Sequence, residues 1–288
     1  MKLEPTAKPL PERSTERVWQ WLLGLRSGSD ARCAELVPDP VTQREQACID
    51  LYEEFARRSG SRRCVVAHLG QSVDGYVATG SGDSCFVTGA ENLDHLHRMR
   101  ALADAIVVGA GTLEADDPAL TTRRVTGPNP TRVVLAGRRP LRASHRLFTD
   151  AAAPTLIVCS GSNVVSGATH GNAQVLRLRG DDARIDPALL IDALAERGLQ
   201  HLFVEGGGAV ASSFLRAGVL DRLQLAIAPV MIGSGRRGIS APAHERMLDC
   251  LRPQHRLYRM GADLLFDYDL RAPQPGGPDR ESALQRLR

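Results

Sequence analysis

His201-Leu202-Phe203-Val204-Glu205-Gly206-Gly207-Gly208-Ala209-Val210-Ala211-Ser212-Ser213-Phe214-Leu215 is the stretch from which the rest of the chain is read. Its first four residues are an apolar-rich run with the composition of a buried strand. An acid and three glycines follow, and residues 209–215 have the pattern of a helix. A strand that feeds a helix through bare backbone brings main-chain N–H groups close to a phosphate. The helix start adds favourable dipole potential. The stretch therefore predicts a nucleotide held at a strand–helix turn, although one triple glycine can also be just a tight turn.

A second stretch strengthens the first. Gly109-Ala110-Gly111-Thr112 also follows a strand-like run, residues 104–108, and adds a hydroxyl. Two backbone cradles can clamp a dinucleotide. Neither is a Walker A motif, because no Gly-Lys-Ser/Thr occurs. Neither is the G-x-G-x-x-G fingerprint, because Glu114 stands at the third glycine position. Outward from these turns, strands are predicted over 64–69, 131–136, 154–159, 173–178 and 221–228. Helices are predicted over 88–102 and 187–197, the latter with Asp186 as N-cap and Pro187 at N1. The last strands, 255–260 and 263–270, are joined by Gly261-Ala262, a hairpin signal.

Strands alternating with helices predict an α/β fold. The expected sheet is central and mostly parallel, with helices on both faces and an antiparallel C-terminal hairpin. Ligands in such sheets lie beyond the carboxyl ends of the strands, where both glycine turns fall. Residues 1–61 read as a helical N-terminal extension with mobile first residues. Within it, helices are expected over 14–25 and 42–58, and Trp19 and Trp21 are expected as packing anchors. Residues 62–270 read as the main domain. The tail 271–288 carries three prolines and two glycines and is expected to be disordered.

Composition narrows the function. The 288 residues carry a formal charge of only +3 and 4% aromatics, so neither a nucleic-acid groove nor a base-stacking platform is expected. Cys33, Cys48, Cys64, Cys85, Cys159 and Cys250 form no C-x-x-C pair, and no secretory h-region or membrane-length apolar run occurs. A reducing cytoplasm is the expected compartment. Asp116-Asp117 before Pro118 lacks further acids at ligand spacing, and His95 and His97 lie two apart, so no metal is expected. No G-x-S-x-G elbow supports a serine hydrolase. Arg138-Arg139 after Gly137 suits the 2′-phosphate of NADPH. Arg100 and Arg123 could grip a sugar phosphate with planar, bidentate guanidinium groups.

Five segments in this order resemble one family. They are Ser72-Val73-Asp74-Gly75, Gly82-Asp83-Ser84, the run Ala115-Asp116-Asp117-Pro118-Ala119-Leu120-Thr121, Val204-Glu205-Gly206-Gly207 and the run Ala228-Pro229-Val230-Met231-Ile232-Gly233. Together they are similar to the reductase domain of riboflavin biosynthesis, the dihydrofolate-reductase-like pyrimidine reductases. The likeness covers about residues 63–270. The family's N-terminal zinc deaminase is not matched, because no H-x-E…P-C-x-x-C occurs.

The resemblance implies an NADPH-dependent oxidoreductase. It would reduce the ribosyl group of 5-amino-6-(5-phosphoribosylamino)uracil, or of its 2,5-diamino pyrimidinone analogue, to the ribityl form. It implies cofactor contacts at Gly70, Phe86, Thr112, Asp116 and Gly137. The run Gly207, Gly208, Ala209, Val210, Ala211, Ser212 and Ser213 would cradle the cofactor phosphates. Substrate contacts carry over to Ser84, Arg100, Leu120, Arg123 and Glu205. Glu205 and His68 are the expected catalytic pair. The chain departs from the family at two places: His68 stands where Lys or Asn is common, and Phe86 where Trp is common. The His68 charge is expected to be sensitive near neutral pH. A homodimer is expected from the resemblance. Two rival readings are a reductase repurposed for a pterin or specialised intermediate, and a non-catalytic NADPH-binding scaffold.

Overall fold

The computed structural model describes residues 13–28, 42–58, 62–85, 87–161, 167–179 and 184–271. The expected mobile first residues, Phe86 and nearly all of the expected tail lie outside the described residues. The chain opens with α1 (Arg13–Ser27) and α2 (Gln43–Ala56), then β1 (Cys64–Ser72) and β2 (Tyr76–Thr79). Next come α3 (Ala90–Leu102), β3 (Ala105–Gly109), α4 (Ala110–Asp116), β4 (Thr131–Gly137) and α5 (Arg146–Thr149). β5 (Thr155–Cys159), β6 (Thr169–His170), β7 (Ala173–Arg177) and α6 (Pro187–Ala195) follow. The last elements are β8 (His201–Val204), α7 (Gly208–Arg216), β9 (Arg222–Ala228), β10 (Gly235–Arg237), β11 (Gln254–Met260) and β12 (Asp263–Asp269).

Ten strands form one sheet in the order β11-β12-β9-β1-β8-β3-β4-β5-β7-β6. From β9 to β7 all pairs are parallel, while β12, β11 and β6 run antiparallel at the edges. β2 and β10 make a separate small ribbon. The expected α/β architecture and C-terminal hairpin are present. β1 and β3 are near-continuous apolar runs because both of their faces are covered.

One face of the sheet packs under α6 and α7 through residues such as Leu190, Leu194, Ala211 and Phe214. The other packs under α1, α2 and α3 in a cluster that unites Leu22, Trp19 and Phe55 with Met99, Ile106 and Phe203. The extension is thus part of the main body's core. Trp19 and Trp21 are buried, as expected of packing anchors. α2 starts with a capping box that sequence reading missed. Thr42 Oγ1 accepts from the Glu45 N–H at 3.2 Å and Glu45 Oε2 from the Thr42 N–H at 2.7 Å.

The second glycine turn differs from the expected loop. Gly109 is the N-cap of a short helix, α4, which runs to Asp116. Asp117 ends that helix at φ 40°, and Leu120 has φ 51°. Such φ values are costly for residues with a Cβ and persist where surroundings enforce them. Here Asp117 Oδ1 accepts from the Arg146 N–H at 3.0 Å, and Leu120 is buried.

Candidate functional site

The sheet register sets Ala67, Val204 and Val107 side by side on β1, β8 and β3. The residues that follow each of them therefore emerge at one end of the sheet. Gly70, Glu205 and Gly109 lie at that end, near or just beyond the carboxyl ends of their strands. A cavity of about 330 Å³ opens at this end, and Gly70, Ser84, Asn92, Leu96, Glu205 and Gly206 line it along with His68.

The glycines divide by task. A Cβ at Gly206 would lie 2.8 Å from Val210 Cβ, and one at Gly208 would lie 2.1 Å from the Gly238 carbonyl oxygen. These two are bare because protein packs on them. A Cβ at Gly207 would meet only the Thr112 hydroxyl, at 3.5 Å, and one at Gly111 would meet nothing within 4 Å. Open space over those two leaves room for a ligand. The two turns also touch directly, because the Gly207 N–H donates to Thr112 Oγ1 at 3.3 Å. Gly70 is bare for a further reason: a Cβ there would stand 2.7 Å from Thr88 Cγ2.

Along α7, Ala209, Val210 and Ser213 keep exposure at the helix start, whereas Ala211 and Ser212 face the core. Ser212 Oγ also holds the Ser240 N–H at 2.8 Å, so that hydroxyl is occupied by protein. Gly137 takes φ 58° at the end of β4 and accepts from the Ser160 N–H at 3.1 Å. Arg138 reaches past Gly161, while Arg139 pairs with Glu114 at 3.1 Å. Asp116 is exposed, and the nearby charge of Arg236 opposes the upward push of burial on its carboxyl.

The two arginines singled out in the sequence have different lives. Arg100, on α3, is buried and forks onto Glu205. Its Nε donates to Oε2 at 2.7 Å, Nη2 donates to Oε1, and Nη1 donates to Thr121 O at 3.1 Å. Arg123 is exposed, and its guanidinium has no ion pair among the described residues. Burial, then the positive charges of Arg100 and Arg146, lower its pKa. Arg146 was missed in the sequence: its α5 helix is one turn long and carries no motif. Leu120 enters the core instead of the cavity. Asn92 was also missed, though its place four residues before Leu96 puts both on one helix face.

His68 corrects an expectation. Its ring is buried, and burial drives its pKa down to about 3, with Asn92 partly opposing. The ring is therefore neutral at physiological pH, not poised to titrate there. The Asn92 side chain lies beside the ring, and among the described residues neither ring nitrogen reaches full hydrogen-bond geometry with a partner. Among the described residues no helix is long and apolar enough to cross a membrane.

Residues 63–259 match the RibD C-terminal domain. The chain is 32% identical over 216 residues to a 2,5-diamino-6-ribosylamino-4(3H)-pyrimidinone 5′-phosphate reductase of Methanothermobacter thermautotrophicus, covering 73% of this chain and 99% of that one. It is 39% identical over 167 residues to the riboflavin biosynthesis protein RibD of Bacillus amyloliquefaciens, covering 56% of this chain and 44% of that one. The chain thus spans less than half of that bacterial relative and nearly all of the archaeal one. In three dimensions it resembles Acinetobacter baumannii RibD, with a TM-score of 0.62 at 22% identity over 78% of this chain and 63% of that one. It also resembles the riboflavin biosynthesis reductase Rib7 of Saccharomyces cerevisiae, with a TM-score of 0.59 at 20% identity over 74% and 91%. These two likenesses concern the fold. With most of its length matched by the domain family and its homology to pyrimidine reductases, the chain belongs to the RibD C-terminal domain family.

Proposed function

We propose that the protein is an NADPH-dependent reductase of a phosphorylated ribosylaminopyrimidine, either the 2,5-diamino pyrimidinone or its uracil counterpart. The observation that carries this reading is the junction of Gly207 with Thr112 beside a cavity walled by Gly70, Ser84 and Glu205. The residues fit the cofactor: open space over Gly111 and Gly207 admits a pyrophosphate, and the nine-residue α7 starts there. NADPH held there would supply the hydride for C1′ of the opened sugar imine, with a proton from solvent completing the amine.

The chain's own part is positioning and electrostatics. Arg100 forks onto both carboxylate oxygens of Glu205 and fixes their direction, so Glu205 receives hydrogen bonds from the substrate's N–H groups. Arg123 and Arg146, whose guanidinium groups have no ion pair among the described residues, hold the sugar phosphate. Arg138 takes the cofactor 2′-phosphate. Thr112, Asp116 and Gly137 contact the rest of the cofactor, and Ser84 contacts the substrate. His68 offers a neutral ring at the cavity wall. The working form is a homodimer.

Nicotinamide absorbance read with purified protein, NADPH and each of the two pyrimidines tests the proposal. Oxidation that depends on the pyrimidine is expected, and competition between the two ranks them. NADPH binding by calorimetry with no turnover of either pyrimidine would replace this reading with the scaffold one.

A further inference from the structure

Among the described residues His68 has no well-formed hydrogen bond to fix its ring, so the Asn92 side chain beside it and its packing against other rings set its orientation in the cavity wall. Among the described residues its aromatic neighbours are His95, with ring centroids 5.0 Å apart, and Phe203, at 6.4 Å. His95 is fully buried and lies on α3. It is tied at both nitrogens: Nε2 stands 2.9 Å from Gln224 Oε1, and Nδ1 stands 2.8 Å from the Tyr52 hydroxyl.

The donors and acceptors follow from the ends of this chain. Asp267 is a carboxylate held by Arg222 Nε at 3.0 Å and by Arg256 Nη2 at 3.1 Å. It can only accept, so the Gln224 group facing it at 3.3 Å is the amide Nε2. Gln224 Oε1 then faces His95 and accepts from Nε2–H. That leaves Nδ1 of the neutral ring as an acceptor, and the Tyr52 hydroxyl must donate to it. Burial raises the Tyr52 pKa, so the proton to be donated is retained. Burial and the adjacent His68 together hold His95 neutral.

We infer that Tyr52 is a positioning residue for the cavity: its hydroxyl fixes the tautomer and rotation of His95, and the fixed His95 ring backs His68. Tyr52 lies on α2, outside the residues 63–259 that match the family. A helix of the extension thus reaches the wall of the candidate site through one intermediate ring. Tyr52 and Gln224 together occupy both nitrogens of His95, which leaves that ring no capacity to capture His68. Without the hydroxyl, the freed Nδ1 acceptor competes for the His68 N–H and draws that ring out of line. The kinetic part of this inference rests on the reductase reading above, whereas the ring geometry does not.

The test is Tyr52→Phe in the full chain, which keeps the aromatic packing and removes only the hydroxyl. Nitrogen-15 spectra of the histidine side chains are recorded without ligand, alongside kcat and KM for the pyrimidine. The wild-type His95 should show a single Nε2–H tautomer. In Y52F its Nδ1 signal should move, a second tautomer should appear, and the His68 signals should shift too. The rate with the pyrimidine should fall about tenfold, the size of one well-formed hydrogen bond, mostly in kcat. Tyr258→Phe is the control, because that buried hydroxyl has no partner among the described residues; it should move neither readout. Unmoved His68 signals in Y52F, or equal effects in Y258F, would overturn the inference. If Y52F does not fold, Gln224→Met frees the same ring from its other nitrogen and the same signals decide. If the wild type turns over no pyrimidine, the reductase reading falls and the ring spectra alone judge Tyr52.

Discussion

The two faces of the central sheet are built from the same strands but in different chemistry. Under α6 and α7 the strands present Val65, Ala67, Val107, Val133, Leu202 and Val204, all apolar. The opposite face alternates apolar residues with buried polar ones: His68, Arg132, His201, Arg222, Gln224 and Asp267. Buried polar groups need partners, and α2 of the extension supplies several. Leu51 O accepts from Arg222 Nη1 at 3.1 Å, Phe55 O lies 2.8 Å from His201 Nδ1, and Tyr52 serves His95. The carbonyl of Phe55 belongs to the last turn of α2, where helix carbonyls lack intrahelical donors. The extension therefore acts as a polar lid matched to one face. A generic apolar helix pair would strand those groups.

Acid should break the comparison most strongly. Burial holds His68 and His97 down to about 3, with Arg100 adding to the effect at His97, and it drives His95 and His201 in the same direction. Unfolded, each ring takes a proton near pH 6.5. The unfolded chain then binds more protons than the folded one, so stability is whole above pH 6.5 and is lost as the pH falls below it. Each neutral ring contributes a slope of about 1.4 kcal/mol per pH unit. His68 and His97 alone then cost about 5 kcal/mol within two units, the whole stability of a marginal domain. Denaturant midpoints at pH 7, 6 and 5 should fall steeply, and hydrogen exchange should open α2 and β9 before α6. A flat profile would show that these rings are charged in the folded state.

Asp267→Ala comes next, at a cost of about 3–5 kcal/mol, because it leaves Arg222 buried and unpaired. Leu194→Ala, on the apolar face, should cost a similar 2–5 kcal/mol through its cavity. Rescue separates the two. Adding Arg222→Met to the Asp267 variant should restore much of the loss in urea denaturation, since an apolar pair can replace a buried ion pair. No change at Arg222 should rescue the leucine variant.

The apolar face was easier to read in the sequence. Runs such as 202–204 and 133–135 announce buried strands, and Asp186 before Pro187 announces α6. The polar face was harder. His68, Arg222 and Gln224 sit inside strand patterns, and nothing local says that partners will arrive from over a hundred residues away, as Leu51 does for Arg222. The same limit hid part of the site. Glycine turns are local signals, so Gly207 and Thr112 were legible. The Arg100–Glu205 fork joins α3 to the end of β8, which sequence spacing cannot express. Gly206 and Gly208 looked like ligand glycines because a closely packed backbone leaves the same mark whether the neighbour is a phosphate, Val210 or Gly238.

Smaller effects belong to the rim where the polar face meets the cavity. Arg123→Ala should raise the pyrimidine KM about ten- to a hundredfold, the range of a charge-assisted hydrogen bond, and spare NADPH affinity. Arg100→Ala should damage kcat as well, because it leaves Glu205 unpaired beside the cavity. Equal effects from the two would erase the distinction between a phosphate grip and a carboxylate clamp.

The smallest predicted effect connects the lid to the rim. Trp19 Nε1 on α1 donates to Thr126 O at 2.8 Å, and Leu23 lies 3.4 Å from where a Cβ on Gly127 would be. The extension therefore tethers the loop that carries Arg123, three residues before Thr126. Trp19→Phe keeps an aromatic ring in the core and removes the tether. It should cost about 1 kcal/mol or somewhat more in stability. If the tether matters only for packing, the pyrimidine KM will stay at the wild-type value. If it holds Arg123 in reach of the phosphate, KM should rise several-fold in W19F and not rise further when Arg123→Ala is added. That non-additivity is the signature of two residues acting through one contact, and it would make the extension part of the substrate site from α1 as well as from α2.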